Sequence, residues 1–152
     1  MFLVVNLLLI YLILLISNSI HEFTHYLIAK KSLIQVMEVV IGYEKYSFNM
    51  FKNLYISIIP IGGFVSIVEE DLLKKSNGTI IMFYMLPACI NIILATVLLS
   101  INININLLPS IIYGITYNYL IAIVSVIPFF KNSDLASCLK ELKRKRKNID
   151  NK

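Results

Sequence analysis

The sequence predicts an all-α membrane protein with three transmembrane helices and a re-entrant β-hairpin or loop after the first one. Hydrophobic residues make up 58% of the 152 residues, and charged residues only 15%. Mean hydropathy is +0.78, whereas soluble domains contain about 45–50% apolar and about 25% charged residues. Three long apolar stretches recur along the chain, and the charges lie between and after them. We expect residues 1–152 to form a single intramembrane domain.

The first predicted span covers about residues 1–29. Met1 to Ile20 carries no charge and is long enough to cross about 30 Å of hydrocarbon. A signal peptide would need a basic start, a shorter apolar core and a cleavage site of small residues. The apolar helical pattern instead continues through His21 to Ala29. We therefore expect a retained span.

Residues 30–77 form a segment of a different kind. Two runs rich in β-branched and aromatic residues, 35–41 and 54–59, are bounded by polar residues or by Pro60-Ile-Gly-Gly63. Such runs are typical of strands or of a re-entrant hairpin. Residues 69–75 are predicted to be a solvated polar stretch, and 76–78 a turn.

Two further spans are predicted at about 79–100 and 107–130. The uncharged sequence between them, residues 101–106, alternates Ile and Asn. This alternation is compatible with a strand, but a short polar turn is the prediction. Residues 131–152 form a basic tail.

Basic residues are distributed unevenly. Of the fourteen Lys and Arg, six lie between residues 30 and 75, none lies between the second and third spans, and eight lie from residue 131 onward. The positive-inside rule then places the N-terminus outside the cell membrane and both basic segments in the cytosol. Lys143–Lys147 is predicted to anchor the tail to the anionic bilayer surface, and no nucleic-acid partner is expected. Cys89 and Cys138 do not indicate a disulfide or a metal motif.

The strongest chemical motif is His21-Glu22-Phe-Thr-His25, which contains both histidines of the chain. Two histidines at i and i+4 lie on one helical face and can reach one metal ion. The adjacent Glu22 can take a proton from water and deliver it to a leaving amine, which makes it the candidate catalytic residue. If Lys30 marks the membrane interface, His25 and His21 lie about 8 and 14 Å inside it. Water would then need a protein-lined cavity to reach them.

Two histidines leave a zinc ion without its usual third protein ligand. Among the later acids, Asp134 follows a long span and Pro128, which can end that helix and turn the chain toward the bundle. Alternatively, Asp134 caps the basic C-terminal helix. Spacing leaves both possibilities open.

These motifs resemble the site-2 protease family of intramembrane zinc metalloproteases over about residues 15–136. His21–His25 matches the family's HExxH motif. Pro60–Val65 is similar to a Pro-x-Gly-Gly-aromatic-Val stretch linked to substrate handling. Ser125–Pro128 followed by Asp134 resembles an Asn-x-x-Pro…Asp-Gly block, with Ser for Asn and Leu135 for Gly. The resemblance implies that Zn²⁺ is bound by His21, His25 and Asp134.

Four further residues are candidates for substrate contact or for structure. Gly62 and Gly63 would let a substrate backbone approach closely, or would simply form a turn. Asn91 lies in Pro87-Ala-Cys-Ile-Asn91, which loosely resembles a family Gly-Pro-x-x-Asn element; its amide would position substrate or join helices. Asn118 is predicted to join helices.

The predicted function is a zinc endopeptidase that cleaves a peptide bond in or near a transmembrane segment of a protein or peptide precursor. The alternative is a non-proteolytic membrane protein that binds a metal ion or a partner. Glu22 separates the two, because hydrolysis needs a carboxylate there and metal binding does not. The chain is too short for an added sensing domain, so we expect substrate selection to depend on the hairpin, on partners or on trimming of the substrate beforehand. The sequence does not fix an oligomeric state.

Overall fold

A computed structural model describes residues 2–105, 109–130 and 133–150. In these residues the main helices are α1 (Phe2–Lys31), α2 (Glu69–Leu73), α3 (Asn77–Ile105), α4 (Pro109–Val126) and α5 (Asp134–Asp150). The strands are β1 (Val36–Ile41), β2 (Ser47–Phe51), β3 (Leu54–Ser57) and β4 (Gly63–Ile67). The protein is thus mostly helical with one small sheet.

Two helices are long and apolar enough to cross a membrane. Leu3–Lys31 of α1 and Asn77–Ser100 of α3 have mean hydropathies of 2.4 and 2.2. The third apolar helix, α4, has 18 residues and is about 27 Å long, slightly less than the hydrocarbon thickness. The structure therefore supports two of the three predicted spans by length, and the third is a shorter apolar helix.

The ends of the second and third predicted spans differ from the structure. Ser76 does not belong to a turn: its Oγ accepts a hydrogen bond from the Thr79 N–H at 3.1 Å and caps the start of α3, as Ser commonly does. The α3 helix also continues through residues 101–105, where the sequence predicts a turn. Residues 106–108 and 131–132 of the predicted spans and tail lie outside the described residues.

A four-stranded sheet replaces the predicted hairpin. Its order is β2-β3-β1-β4. Strand β1 pairs in parallel with β3 and antiparallel with β4, while β2 pairs antiparallel with β3. The runs 35–41 and 54–59 do form strands, as predicted, but they are parallel neighbours and cannot be joined by a tight turn. Strand β2 provides the return between them.

The helices pack closely around polar contacts. The Asn118 amide of α4 donates hydrogen bonds to Ser17 Oγ of α1 at 2.9 Å and to the Gly114 carbonyl at 2.8 Å. A Cβ at Gly114 would lie 2.5 Å from Ile13 Cγ2. A small residue therefore lets α4 approach α1, and Asn118 joins the two helices as predicted.

Candidate functional site

The HExxH motif lies on α1 with its functional side chains turned inward. His21, Glu22 and His25 are all buried, whereas Phe23, between them, is 55% exposed. The two imidazole ring centroids are 5.2 Å apart. The helical spacing thus brings both histidines and Glu22 to the protein interior, on the side facing α3 and α5.

Asp134 lies against both histidines, although it follows His25 by 109 residues. Its Oδ2 is 3.4 Å from His21 Nε2, and its Oδ1 is 3.5 Å from His25 Nε2. One ligand atom from each of the three residues lies within 4.8 Å of the others. Zinc bonds of 2.0–2.2 Å in a tetrahedral arrangement separate neighbouring ligand atoms by about 3.4 Å. The donor set therefore fits a zinc ion in type and in spacing.

Ser133 positions Asp134 at the first residue of α5. The Ser133 hydroxyl accepts a hydrogen bond from the Ala136 N–H at 3.2 Å, so Ser133 caps the helix. The Asp134 side chain is then free to point toward α1. Burial alone would raise the pKa of the Asp134 carboxyl, but its contacts with His21 and His25 outweigh burial and hold that pKa well below its usual range. The carboxylate is therefore ionised, as a metal ligand must be.

Polar contacts along α5 hold that helix against the short α2 segment. Arg144 donates to Glu69 Oε2 at 2.5 Å and to Glu141 Oε1 at 3.0 Å, and Lys145 donates to the Lys75 carbonyl. The Arg144 hydrogen bond lowers the pKa of Glu69. Two basic residues of the predicted surface anchor thus make contacts within the protein and fix the helix that carries Asp134.

Gly63 lies directly against Glu22. A Cβ at Gly63 would meet Glu22 Cγ and Oε1 at 2.9 Å and the Val40 carbonyl oxygen at 2.6 Å. Its φ of +152° also favours glycine. Gly62 has a φ of +77°, but a Cβ there would meet no atom within 4 Å. The backbone of Gly63 therefore lies directly against the candidate catalytic carboxylate of Glu22, whereas the space beside Gly62 is open.

Asn18 fixes this glycine segment to the helices, and sequence reasoning did not identify it. Its buried amide donates to the Pro60 carbonyl at 2.6 Å and to Tyr117 Oη at 2.7 Å. Asn18 lies one helical turn before Glu22 on α1, so it ties the start of the segment to the motif. The signal that could have found it was an amide inside an apolar span, where a polar group needs a partner.

The candidate metal ligands and Glu22 line one cavity of about 550 Å³, the metal-site cavity. It is lined by the HExxH side chains, Asp134, Asn18, Tyr117 and residues 61–65 and 67 of the β4 region, among others. Ser125, at the position where the resemblance would expect Asn, also lines it. Asn91 is fully buried in α3 and is not among the lining residues. In the described residues, neither its amide nitrogen nor its amide oxygen has a hydrogen-bond partner.

His25 also contacts α3 next to a proline. Its ring centroid is 4.9 Å from that of the Phe83 ring. Pro87 lies inside α3 and has no N–H to bond the carbonyl four residues earlier. The Phe83 carbonyl is therefore left without its usual helical donor. His25 Nδ1 is buried and forms no hydrogen bond of good geometry with the described residues.

Comparison with known proteins gives one assignment. No curated protein sequence matches the chain. The sequence profile of peptidase family M50 matches residues 9–149, which include the HExxH motif, the sheet and Asp134. That range covers more than half of the 152 residues. The chain therefore belongs to peptidase family M50, the site-2 protease family of intramembrane metalloproteases.

Proposed function

We propose that this protein is a zinc-dependent endopeptidase that hydrolyses a peptide bond in or near a transmembrane segment of a membrane protein or peptide precursor. The observation that carries the proposal is the fit of His21, His25 and Asp134 to zinc, beside a buried glutamate. Membership of a metallopeptidase family supports the reaction class.

The proposed roles follow from the chemistry of each side chain. The Nε2 atoms of His21 and His25 and the Asp134 carboxylate would hold Zn²⁺. When bound, zinc polarises a carbonyl and lowers the pKa of water to about 7. Glu22 accepts a proton from the attacking water while the water oxygen forms a bond to the carbonyl carbon of the scissile peptide. Glu22 then donates that proton to the leaving amine as the C–N bond breaks.

The free edge of β4 supports an extended substrate conformation. Strand β4 lies at one end of the sheet, pairing with β1 on one side in the described residues. Its residues line the metal-site cavity. A substrate strand added to this edge would form backbone hydrogen bonds next to Glu22. This requires local unwinding, because a helix keeps its carbonyls in internal hydrogen bonds. Gly62 and Gly63 would then contact substrate; a substrate role for Asn91 would be indirect.

We also infer the orientation in the cell membrane from charge. The fourteen basic residues lie between residues 30 and 75 and from residue 131 onward. Strong positive-inside asymmetry places both in the cytosol and Met1 outside. The metal site would then open toward the cytosolic half of the bilayer.

The decisive test of function is Glu22→Gln. The amide is nearly isosteric, so we expect zinc content to match wild type, whereas cleavage is lost because the amide cannot accept the proton. Wild type and variant would be co-reconstituted in liposomes with a set of single-span membrane proteins. New protein termini would be identified by mass spectrometry, and zinc by elemental analysis.

Cleavage that persists in Glu22→Gln would contradict the proposed mechanism. If wild type bound zinc but cleaved none of the set, the non-proteolytic metal-binding alternative would be favoured. Leu27→Met, at an exposed position of the same helix that lines neither cavity, is the control and should behave as wild type.

A further inference from the structure

A second cavity lies between α1 and the sheet. This α1–sheet groove has a volume of about 700 Å³, within the range of small-molecule sites. Its lining residues are Ser19, Phe23, Tyr26 and Lys30 of α1, Ile34, and residues 36, 39, 41 and 51–54 of the sheet segment. It shares none of them with the metal-site cavity. The groove is therefore separate from the candidate active site.

The α1 residues of the groove form a stripe along the membrane helix. Ser19, Phe23, Tyr26 and Lys30 are spaced by three or four residues and lie on one side of α1. The stripe is about 16 Å long from Ser19 to Lys30. It passes from the apolar interior of the span to the polar end of the helix, the depth range of one half of a bilayer.

The opposite wall comes from β1 and from the turn between β2 and β3. Phe51, at that turn, lines the groove and is 66% exposed, and Phe48 and Met50 of the same strand are 50% and 59% exposed. Exposed apolar side chains beside a membrane helix indicate contact with hydrocarbon rather than water. An apolar groove open to hydrocarbon is filled by lipid chains, because water gains too few polar partners there.

Two lysines give the groove a charge preference. Lys30 and Lys52 are exposed, and each lies near an aromatic ring of the groove: Lys30 Nζ is 5.8 Å from the Tyr26 ring centroid, and Lys52 Nζ is 5.3 Å from that of Phe51. No acidic residue is found among the described lining residues. Neither lysine forms an ion pair with any described acid. Two unneutralised ammonium groups at the polar end of an apolar groove suit a phosphate headgroup.

We propose that the α1–sheet groove binds one anionic phospholipid from the leaflet that contains Lys30. Its phosphate contacts Lys30 and Lys52, and an acyl chain lies along Tyr26, Phe23 and Ser19. A substrate segment is a poorer occupant, since the groove does not open onto the metal ligands. A second copy of this chain, with a net charge of +5, brings no excess of acid to the two lysines.

The test measures lipid binding by native mass spectrometry of the detergent-purified protein. Phosphatidylglycerol and phosphatidylcholine with identical acyl chains are titrated separately, and the fraction carrying one lipid is recorded. We expect tighter binding of the first phosphatidylglycerol. Two lysines near a headgroup predict a preference of about tenfold or more. The double variant Lys30→Gln/Lys52→Gln should lose this preference while still binding phosphatidylcholine.

The control keeps the same change of net charge. Lys31→Gln/Lys45→Gln alters two exposed lysines outside the groove and should keep the preference. The proposal would be overturned if wild type bound the two lipids equally, or if both double variants lost the preference for phosphatidylglycerol to the same extent. Competition by soluble glycerol 3-phosphate would identify a phosphate site instead of a lipid site. A dimer that excludes lipid would identify a second copy as the occupant.

Discussion

At Gly63 the backbone of β4 comes so close to Glu22 that no side chain fits between them. The distances from a Cβ there to Glu22 Oε1 and to the Val40 carbonyl oxygen, 2.9 and 2.6 Å, are below normal contact. The Val40 carbonyl belongs to the neighbouring strand, so it cannot move without breaking the sheet pairing of Val40 with Phe64. Glu22 would have to move instead. Gly63 thus determines where the candidate catalytic carboxylate lies.

We predict that Gly63→Ala greatly reduces cleavage but not zinc binding. Displacing Glu22 by about 1 Å costs roughly a hundredfold in rate. The new Cβ contacts Glu22 and Val40 but neither histidine, so zinc binding should be retained. Gly62→Ala is the matched control: it also forces a positive φ on alanine, but its Cβ meets open space. Cleavage rates and zinc content of the two variants would be compared. Equal rates for Gly62→Ala and Gly63→Ala would show that the contact with Glu22 is unimportant.

The residues of the site differ in how far sequence alone could identify them. The HExxH residues His21, Glu22 and His25 are close neighbours on one helix, so their spacing in the sequence is sufficient to identify them. Asp134 needs a family resemblance, because Pro128 predicts a bend but not which helix face lies opposite, and the sequence equally allows Asp134 to be the cap of the last helix. Asn18 can be noticed as an amide inside an apolar span, but its partner Tyr117 is 99 residues away, so nothing local predicts their contact.

Among the elements, α3 combines a membrane span with a proline that affects the neighbouring helix. The missing N–H at Pro87 leaves the carbonyl of Phe83 without its helical donor, and the Phe83 ring contacts His25. Metal-binding histidines usually donate their second ring N–H to a carbonyl or carboxylate, which fixes the tautomer and the ring orientation. We therefore expect the Phe83 carbonyl, freed by the break in the helical hydrogen bonds of α3, to accept a hydrogen bond from His25 when the metal is bound.

We predict that Pro87→Ala weakens zinc binding although it favours the helix. The new N–H would bond the Phe83 carbonyl and compete with His25, which should raise the zinc Kd by about tenfold. The thermal midpoint of the zinc-free protein should stay the same or rise, because alanine is about 3 kcal/mol more favourable in a helix interior. Kd would be measured by chelator competition. Cys89→Ala, an exposed position on the same helix, is the control.

An unchanged zinc Kd in Pro87→Ala would contradict this role for the proline. A lower thermal midpoint of the zinc-free protein would instead indicate that Pro87 serves the packing of α3.

The sheet illustrates which elements the sequence can specify. Strands β1 and β3 are β-branched runs and are predicted from sequence. For β4 the sequence favours a loop, because Pro60 and two glycines lie at its start. Its pairing partner β1 lies more than twenty residues before it along the chain, so no local turn signal indicates the pairing. Strand β2 alternates polar and apolar residues only from Ser47 to Met50, and four residues are too few to distinguish a strand from a loop.

At the scale of the whole molecule, the proposed membrane orientation rests on charge alone and can be tested directly. In a background without Cys89 and Cys138, we predict that a membrane-impermeant thiol reagent added to intact cells labels a cysteine at Asn104. The same reagent should label a cysteine at Lys145 only after the membrane is permeabilised. The reverse pattern would place the sheet and the C-terminal helix outside the cell and contradict the positive-inside assignment.

The candidate metal site depends on the whole fold, because its residues come from α1 and α5. The helix carrying Asp134 is fixed by its Ser133 cap and by the contacts of Arg144 and Lys145. Replacing Asp134 should therefore weaken zinc binding without changing the positions of the two histidines. Asp71 offers a matched control, since it is also a carboxylate at a helix start, but it pairs with the exposed Lys74.

The most direct measurement is the zinc content and zinc Kd of Asp134→Asn beside Asp71→Asn. Wild type and Asp71→Asn should bind one zinc per chain with equal affinity. Asp134→Asn should bind it at least tenfold more weakly, because the neutral amide is a poorer ligand and does not offset the metal charge. X-ray absorption of the wild type should show two imidazole nitrogens and a carboxylate oxygen at 2.0–2.2 Å. Undiminished zinc affinity in Asp134→Asn would contradict the assignment of Asp134 as the third ligand.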